Sequence, residues 1–272
     1  QFADIYVHGV AAEDRSIWLA NLLEINATDD RLDILRLLLQ SGVPMAAVIR
    51  ALIDAVSRGH EAATKLLLDH REGLPSLDIH ADATVLIQAA AFGGNAAVTR
   101  LLLDLGANVA AANEYGVTAL IASAANGHEA VTKLLLDHGA DPAAGRINGR
   151  TALLLAAFGG HEGVAKLLLD HGVDVASTDN DGWTALMLAA AGGHEGVARA
   201  LLDHGAHVAA AATTTGKTAL IYAAIAGHEA VSKLLLDHGA NAAAPDNAGV
   251  TALICAAAGG HETVAQLLLD HG

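Results

Sequence analysis

A chain of 272 residues is long enough to form one large domain or two small ones. Hydrophobic residues make up 53% of it but aromatic residues only 3%, so its apolar content is mainly alanine, leucine and valine, which favours closely packed helices. The net charge of −15 would repel a polyanion, so we expect no nucleic acid among its partners.

The cysteine count and the hydropathy pattern predict an intracellular protein. The single cysteine, Cys255, excludes an internal disulfide framework and suits a reducing compartment. No uninterrupted apolar run approaches the ~18 residues that a membrane span requires, and the start lacks the pattern of a signal peptide. We therefore expect no membrane insertion and a cytoplasmic or nuclear location. Because the chain starts at Gln1 and stops where a repeat ends, we expect it to be a segment of a longer protein.

The first elements in chain order are weakly patterned. Residues 17–24 and 31–40 are predicted to be helices, and Ser41-Gly42 follows them. Two better defined units come next: Arg50-Ala51-Leu52-Ile53 leads to Gly59-His60, and Val85-Leu86-Ile87 leads to Gly94-Asn95.

Five closely similar units fill the rest of the chain. The triplet Thr-Ala-Leu begins at Thr118, Thr151, Thr184, Thr218 and Thr251, in steps of 33, 33, 34 and 33 residues. Gly-His follows nine residues after each threonine, and four of the five units end in Leu-Leu-Leu-Asp-His-Gly. In each unit the threonine is placed to cap a first helix, a glycine ends it, and a leucine-rich second helix follows. Such a fixed period is typical of a stacked repeat array.

The unit of Gly-x-Thr-Ala-Leu, then Ala-Ala, then Gly-His and a leucine-rich helix resembles the ankyrin repeat. The resemblance implies an all-α fold, a solenoid of about eight helix-turn-helix repeats with short β-turn or hairpin connections. Its turns and first helices would line a concave binding face. Residues 1–44 would form a degenerate N-terminal repeat, and residues 45–272 about seven repeats of one continuous domain. The chain departs from the family's Thr-Pro-Leu-His opening, so packing must replace the rigidity of the missing proline.

Three features suggest a small ligand, and each has a simpler interpretation. Fifteen histidines invite a metal site, but equivalent residues of adjacent repeats lie ~8–10 Å apart, too far to share an ion bound at ~2 Å. Gly216-Lys217-Thr218 resembles the end of a phosphate-binding loop, but Ala211 stands where its first glycine belongs. Asp179-Asn180-Asp181-Gly182 resembles a calcium loop, but Ser177 stands at the position of its first ligand and Leu188 at that of its closing glutamate. We expect no metal, cofactor, small-molecule substrate or catalytic residue.

Residues that break the repeat pattern are the candidates for recognition. They cluster just before the threonine of each unit and near the end of the first helix, and they include tryptophan, tyrosine and arginine, which are enriched at interface hot spots. The predicted partner-binding residues are Phe92, Glu114, Tyr115, Ile147, Asn148, Arg150, Phe158, Asn180, Asp181, Trp183, Thr214, Lys217 and Ile225.

The position before the threonine forms a row of its own, which we call the stripe. In successive units it holds Val117, Arg150, Trp183, Lys217 and Val250. We expect this mixed aromatic and basic stripe to lie on the concave side and to bind an extended peptide or an acidic loop of a partner protein. The alternative is that Trp183 and Phe158 only cover the seams between repeats.

The function predicted from these patterns is that of a protein-protein interaction scaffold or adaptor, not an enzyme. Two alternatives stay open: a regulatory domain that docks on the catalytic or channel portion of a larger protein, and a structural spacer in an assembly. Sequence beyond Gly272 would test the first, and neutral mutations of the stripe would favour the second. The partner's identity does not follow, because one repeat frame serves unrelated ligands.

Overall fold

The computed structural model describes residues 12–69 and 83–272, and the elements in these ranges are helices. The fifth helix continues as a π-helical turn over Ala89–Gly93. In chain order the sixteen described helices are α1 Ala12–Thr28, α2 Leu32–Gln40, α3 Met45–Ser57, α4 Glu61–Asp69, α5 Ala83–Gln88, α6 Ala96–Asp104, α7 Ala119–Ala125, α8 Glu129–Asp137, α9 Ala152–Gly159, α10 Glu162–Asp170, α11 Ala185–Gly192, α12 Glu195–Asp203, α13 Ala219–Ala226, α14 Glu229–Asp237, α15 Ala252–Gly259 and α16 Glu262–His271.

The described residues divide into two compact units, which part between Ala111 and Ala112. In the second unit α7, α9, α11, α13 and α15 pack side by side as first helices, and α8, α10, α12, α14 and α16 as second helices. The first unit has the same alternation, with α1 on α3 and α2 on α4. These helix-turn-helix pairs confirm the predicted fold class. The division into a degenerate repeat at 1–44 and a continuous array at 45–272 stays a prediction.

The threonine that opens each of the five similar repeats caps the first helix. Its Oγ1 accepts a hydrogen bond from the backbone N–H three residues on, at 3.2–3.5 Å. In four of these repeats the same threonine also closes the preceding loop, through a single antiparallel bridge such as Gly145 to Thr151. The threonine therefore ends the loop and starts the helix, which confirms the predicted cap.

Burial differs between the two helices of a repeat. In α9 every residue from Ala152 to Ala157 is buried, and its alanines let neighbouring first helices approach closely. The following helix buries one stripe only, made of Val164, Ala165, Leu168 and Leu169. Helix α9 is thus enclosed by its neighbours, whereas α10 keeps a polar face in water.

Histidines satisfy backbone carbonyls at helix ends. The histidine after the helix-ending glycine bonds through Nε2 to a carbonyl of the preceding repeat, at 3.1–3.2 Å: His161 to Ala125, His194 to Phe158, His228 to Ala191 and His261 to Ile225. The histidine of Asp-His-Gly bonds through Nδ1 to a carbonyl in the last turn of its own helix, at 2.7–2.8 Å. A carbonyl only accepts, so these nitrogens donate and supply partners that helix ends lack. These contacts support the structural interpretation of the histidines.

Ser232 is a polar residue inside the core. It is fully buried, its Oγ has no hydrogen-bond partner among the described residues, and alanine fills the same position at Ala165, Ala198 and Ala265. We expect Ser232→Ala to raise the free energy of unfolding by about 1 kcal/mol, because an unpaired buried hydroxyl is removed.

The matched control is Ser123→Ala, which removes a hydroxyl bonded to Thr132 Oγ1 at 3.0 Å inside the core. It should lower the free energy of unfolding by about 1 kcal/mol. Both changes share the same gain in helix propensity, so the difference between them reports the hydrogen bonds of Ser123 Oγ to Thr132 Oγ1 and to Leu120 O, each 3.0 Å long. Urea denaturation gives both values, and equal losses in the two variants would contradict the expectation.

Candidate protein-binding surface

The loops between repeats of the second unit are linked tip to tip. The Ile147 N–H donates to Tyr115 O at 3.2 Å, the Asn180 N–H to Asn148 O at 3.1 Å, and the Asn247 N–H to Thr215 O at 3.0 Å. A side chain makes the remaining link, from Thr213 Oγ1 to Asp181 O at 2.8 Å. The predicted binding residues of these tips therefore lie along one continuous row, which we call the loop row: Glu114, Tyr115, Ile147, Asn148, Asn180, Asp181 and Thr214.

An aspartate or asparagine at the base of three loops fixes their shape. Asp179 Oδ1 accepts from the backbone N–H groups of Asp181 and Trp183 at 3.1 and 3.0 Å. Asn113 and Asp246 make the same pair of bonds in their own loops, at 2.9–3.0 Å. The exposed tip residues are thus held on a preorganised backbone.

The basic residues of the stripe are paired inside the array. Arg150 Nε donates to Asp179 Oδ2 at 3.2 Å, and Lys217 Nζ lies 3.8 Å from Asp246 Oδ2. The side chains of the two acids are only 3% and 5% exposed. These buried carboxylates reduce the attraction of both cations for an acidic partner. The charged residues of the loop row are the acids Glu114 and Asp181, and both are exposed.

Asp246 makes the stability of this face depend on pH. Hydrogen bonds from the N–H groups of Val250 and Ala248, helped by the Lys217 ammonium, hold the pKa of this carboxyl below its ordinary value of 3.8 against the opposing effect of burial. A folded pKa below the unfolded one stabilises the protein above the unfolded pKa, and this contribution is lost as the pH falls through the folded pKa.

We therefore expect the urea midpoint of the protein to fall more steeply below about pH 4 than that of Asp246→Asn, which cannot titrate there. The measurement is urea denaturation of both proteins from neutral pH to pH 3. Parallel curves for the two proteins would contradict this role of Asp246.

A second row of residues lies in the last turn of each first helix, and we call it the helix-end row. Its members alternate in size along the second unit: Ala125, Phe158, Ala191, Ile225 and Ala258. Phe158 is 61% and Ile225 45% exposed although both are apolar, and Phe92 of the first unit is exposed likewise. Alanine serves the same position in three repeats, so the stack itself does not require these large side chains.

A small pocket joins the stripe to the helix-end row. Its volume is about 200 Å³, and it is lined by Arg150, Phe158, Trp183, Leu188, Ala191 and Gly192. The Arg150 guanidinium carbon lies 5.8 Å from the centre of the Phe158 ring. Trp183 stacks on Tyr222 of the next repeat, with ring centroids 4.1 Å apart at 31°. Trp183 therefore covers a seam and also forms a wall of the pocket.

Twelve of the thirteen predicted binding residues belong to the second unit, where the stripe, the loop row and the helix-end row lie, and Phe92 belongs to the first unit. We call these three rows together the recognition face. Sequence reasoning missed Asp179, Asp246 and Tyr222, and it missed the small residues Ala191 and Gly192 that leave room for the pocket. Each acid follows its basic partner by 29 residues, a constant offset that could have revealed both pairs.

Three features of the described residues bear on metal binding, thiol chemistry and membrane insertion. No group of three or more histidine, cysteine or acidic side chains in 12–69 and 83–272 is placed to hold a metal ion. Burial raises the pKa of the Cys255 thiol, which keeps it protonated and a poor nucleophile. None of the described helices has the length and apolar character to cross a membrane.

Comparison with known proteins agrees with the repeat geometry. The family model for ankyrin repeats matches the chain in three copies, over residues 52–146, 142–212 and 209–272. These matches cover every predicted binding residue. A search of curated proteins found no match.

Proposed function

Because the chain belongs to the ankyrin-repeat family, we propose that it is a scaffold or adaptor that binds a partner protein through the recognition face. Ankyrin repeats are generally protein-protein interaction modules and are typically not catalytic. Beyond this general role, we propose which surface of the chain binds the partner. A regulatory domain that docks on another part of a larger protein would use the same face.

The observation that carries the proposal is exposed apolar area on an ordered surface. The first helices of the second unit contain no charged residue, and the charged residues of this unit lie on its second helices and in its loops. Tyr115, Ile147 and Phe158 are each 59–71% exposed, on loops and helix ends held by repeated hydrogen bonds. Large apolar side chains on a rigid frame are the usual anchors of an interface. The acidic second helices are expected to face water.

Capture of a partner from a native cell extract tests the surface. Immobilised protein is compared with a double variant of the loop row, Tyr115→Ala with Ile147→Ala. It is also compared with a double variant of the exposed side of the second helices, which we call the outer face, Glu229→Ala with Lys233→Ala. All four residues are exposed, so both variants should keep the helix content seen by circular dichroism. We expect a partner that the protein and the outer-face variant retain and the loop-row variant loses.

Two other outcomes of this experiment would contradict the proposal. Loss from the outer-face variant alone would move the binding site to the second helices. If the unaltered protein captured no partner, a spacer function would be favoured over a binding function.

A further inference from the structure

We propose that the pocket beside Trp183 takes one large apolar side chain of an extended partner segment, and that this segment carries lysine or arginine next to the anchor. The inference rests on the proposed function and specifies the chemistry of the partner. A basic flank differs from the acidic loop that, beside an extended peptide, the stripe suggested in the sequence.

The size and lining of the pocket point to a single side chain. Its volume of about 200 Å³ is below the ~300–1,000 Å³ of a typical small-molecule site. Phe158, Trp183 and Leu188 supply apolar walls, and the small residues Ala191 and Gly192 complete the lining. Such a site suits an aromatic or branched aliphatic anchor, the kind of residue that dominates interface energies.

The alternation along the helix-end row favours an extended segment over a helix. A partner helix binds through several anchors that lie together in a continuous groove. Here the large Phe158 and Ile225 stand at the same register on either side of Ala191, in the preceding and following repeats. Adjacent repeats lie ~8–10 Å apart, so these two residues should be ~16–20 Å apart. An extended chain covers that distance in about five or six residues and can place one side chain between them.

The charges favour a basic flank. Arg150, the cation of the pocket, shares its charge with the buried Asp179 and lies beside the Phe158 ring, so its attraction for an acidic flank is reduced. Asp181 is exposed two residues before Trp183, and the whole chain carries a charge of −15. Complementary charge steers association and sets orientation, which here selects lysine or arginine.

A peptide array followed by fluorescence polarisation tests the inference. The probes are ten-residue peptides with phenylalanine, leucine or alanine at the centre, flanked by either lysine or glutamate. We expect phenylalanine or leucine peptides with lysine flanks to bind at least about tenfold tighter than alanine peptides, as for an anchor worth ~1.4 kcal/mol.

Two matched variants locate the binding. Ala191→Leu fills the pocket, whereas Ala258→Leu makes the same change at the same register in the last repeat, away from the pocket. The first should weaken peptide binding by at least about tenfold and the second by less than about twofold. Asp181→Lys reverses the charge of this exposed residue outside the pocket lining and should remove the preference for lysine flanks. Circular dichroism checks that all three variants fold.

The inference fails if alanine peptides bind as well as phenylalanine peptides, if glutamate flanks are preferred, or if Ala191→Leu binds like Ala258→Leu. It also fails if no peptide binds while the protein still captures a partner that the loop-row variant loses. That last result would leave the proposed function standing. Failure of the proposed function is seen separately, in the extract experiment.

Discussion

Gly160→Ala is expected to lower the free energy of unfolding by about 3–5 kcal/mol, a large effect for a single methyl group. Gly160 ends α9 with a φ of 73°, a left-handed conformation that strains any residue with a Cβ. A Cβ there would also lie 2.5 Å from His194 Nδ1. The ring would have to move and give up its hydrogen bond to Phe158 O.

Gly172→Ala is the control, since it measures only the cost of placing a residue with a Cβ in a left-handed backbone conformation. Its φ is 77°, but no atom lies within 4 Å of the added Cβ, so it should cost only about 1–2 kcal/mol. Urea denaturation monitored by circular dichroism gives both values. Equal losses would mean that the ring of His194 adapts freely and contributes nothing to the seam.

This contact gives the Gly-His pair of each repeat a physical explanation. The glycine leaves room for the histidine ring of the next repeat, as at Gly127 with His161 and Gly193 with His228. The ring then bonds to the end of the preceding first helix. The pair therefore couples neighbouring repeats, although its two residues are adjacent in sequence.

The features that sequence predicted well are local or periodic. Threonine caps, helix-ending glycines and the apolar stripe of the second helix depend on residues three or four positions apart, and all were found. Contacts one repeat away were harder to foresee, because a period shows that units are equivalent but not how they touch. The histidines were expected to be structural or solvated, and their bonds to a carbonyl 36 or 37 residues earlier were not predicted.

The ion pairs beneath the recognition face were not predicted. Tyr115 and Asp181 lie in turns between repeats, as their place before the threonine of a unit implied, and their role in binding stays a prediction. Arg150 and Lys217 were treated as available cations, since the burial of their acidic partners depends on packing between repeats. The pocket was not predicted because small residues such as Ala191, which lines it, were not among the candidates for binding.

Phe158→Ala is expected to weaken partner binding by about 30-fold, the ~2 kcal/mol typical of a hot spot, while changing the free energy of unfolding by less than about 1 kcal/mol. Its side chain is 61% exposed, and Ala125, Ala191 and Ala258 show that alanine fits this position. The Phe158 carbonyl still accepts the bond from His194, so the seam is kept. The measurement is isothermal titration calorimetry with the captured partner, beside urea denaturation.

Leu154→Ala, in the same helix, should show the opposite behaviour. Its side chain is fully buried, so the free energy of unfolding should fall by about 2.7–5 kcal/mol, whereas the affinity of the folded protein should hardly change. If Phe158→Ala instead lost stability and kept its affinity, Phe158 would serve the seam alone. The alternation of large and small residues in the helix-end row would then reflect packing between repeats, and the binding energy would have to come from the loop row.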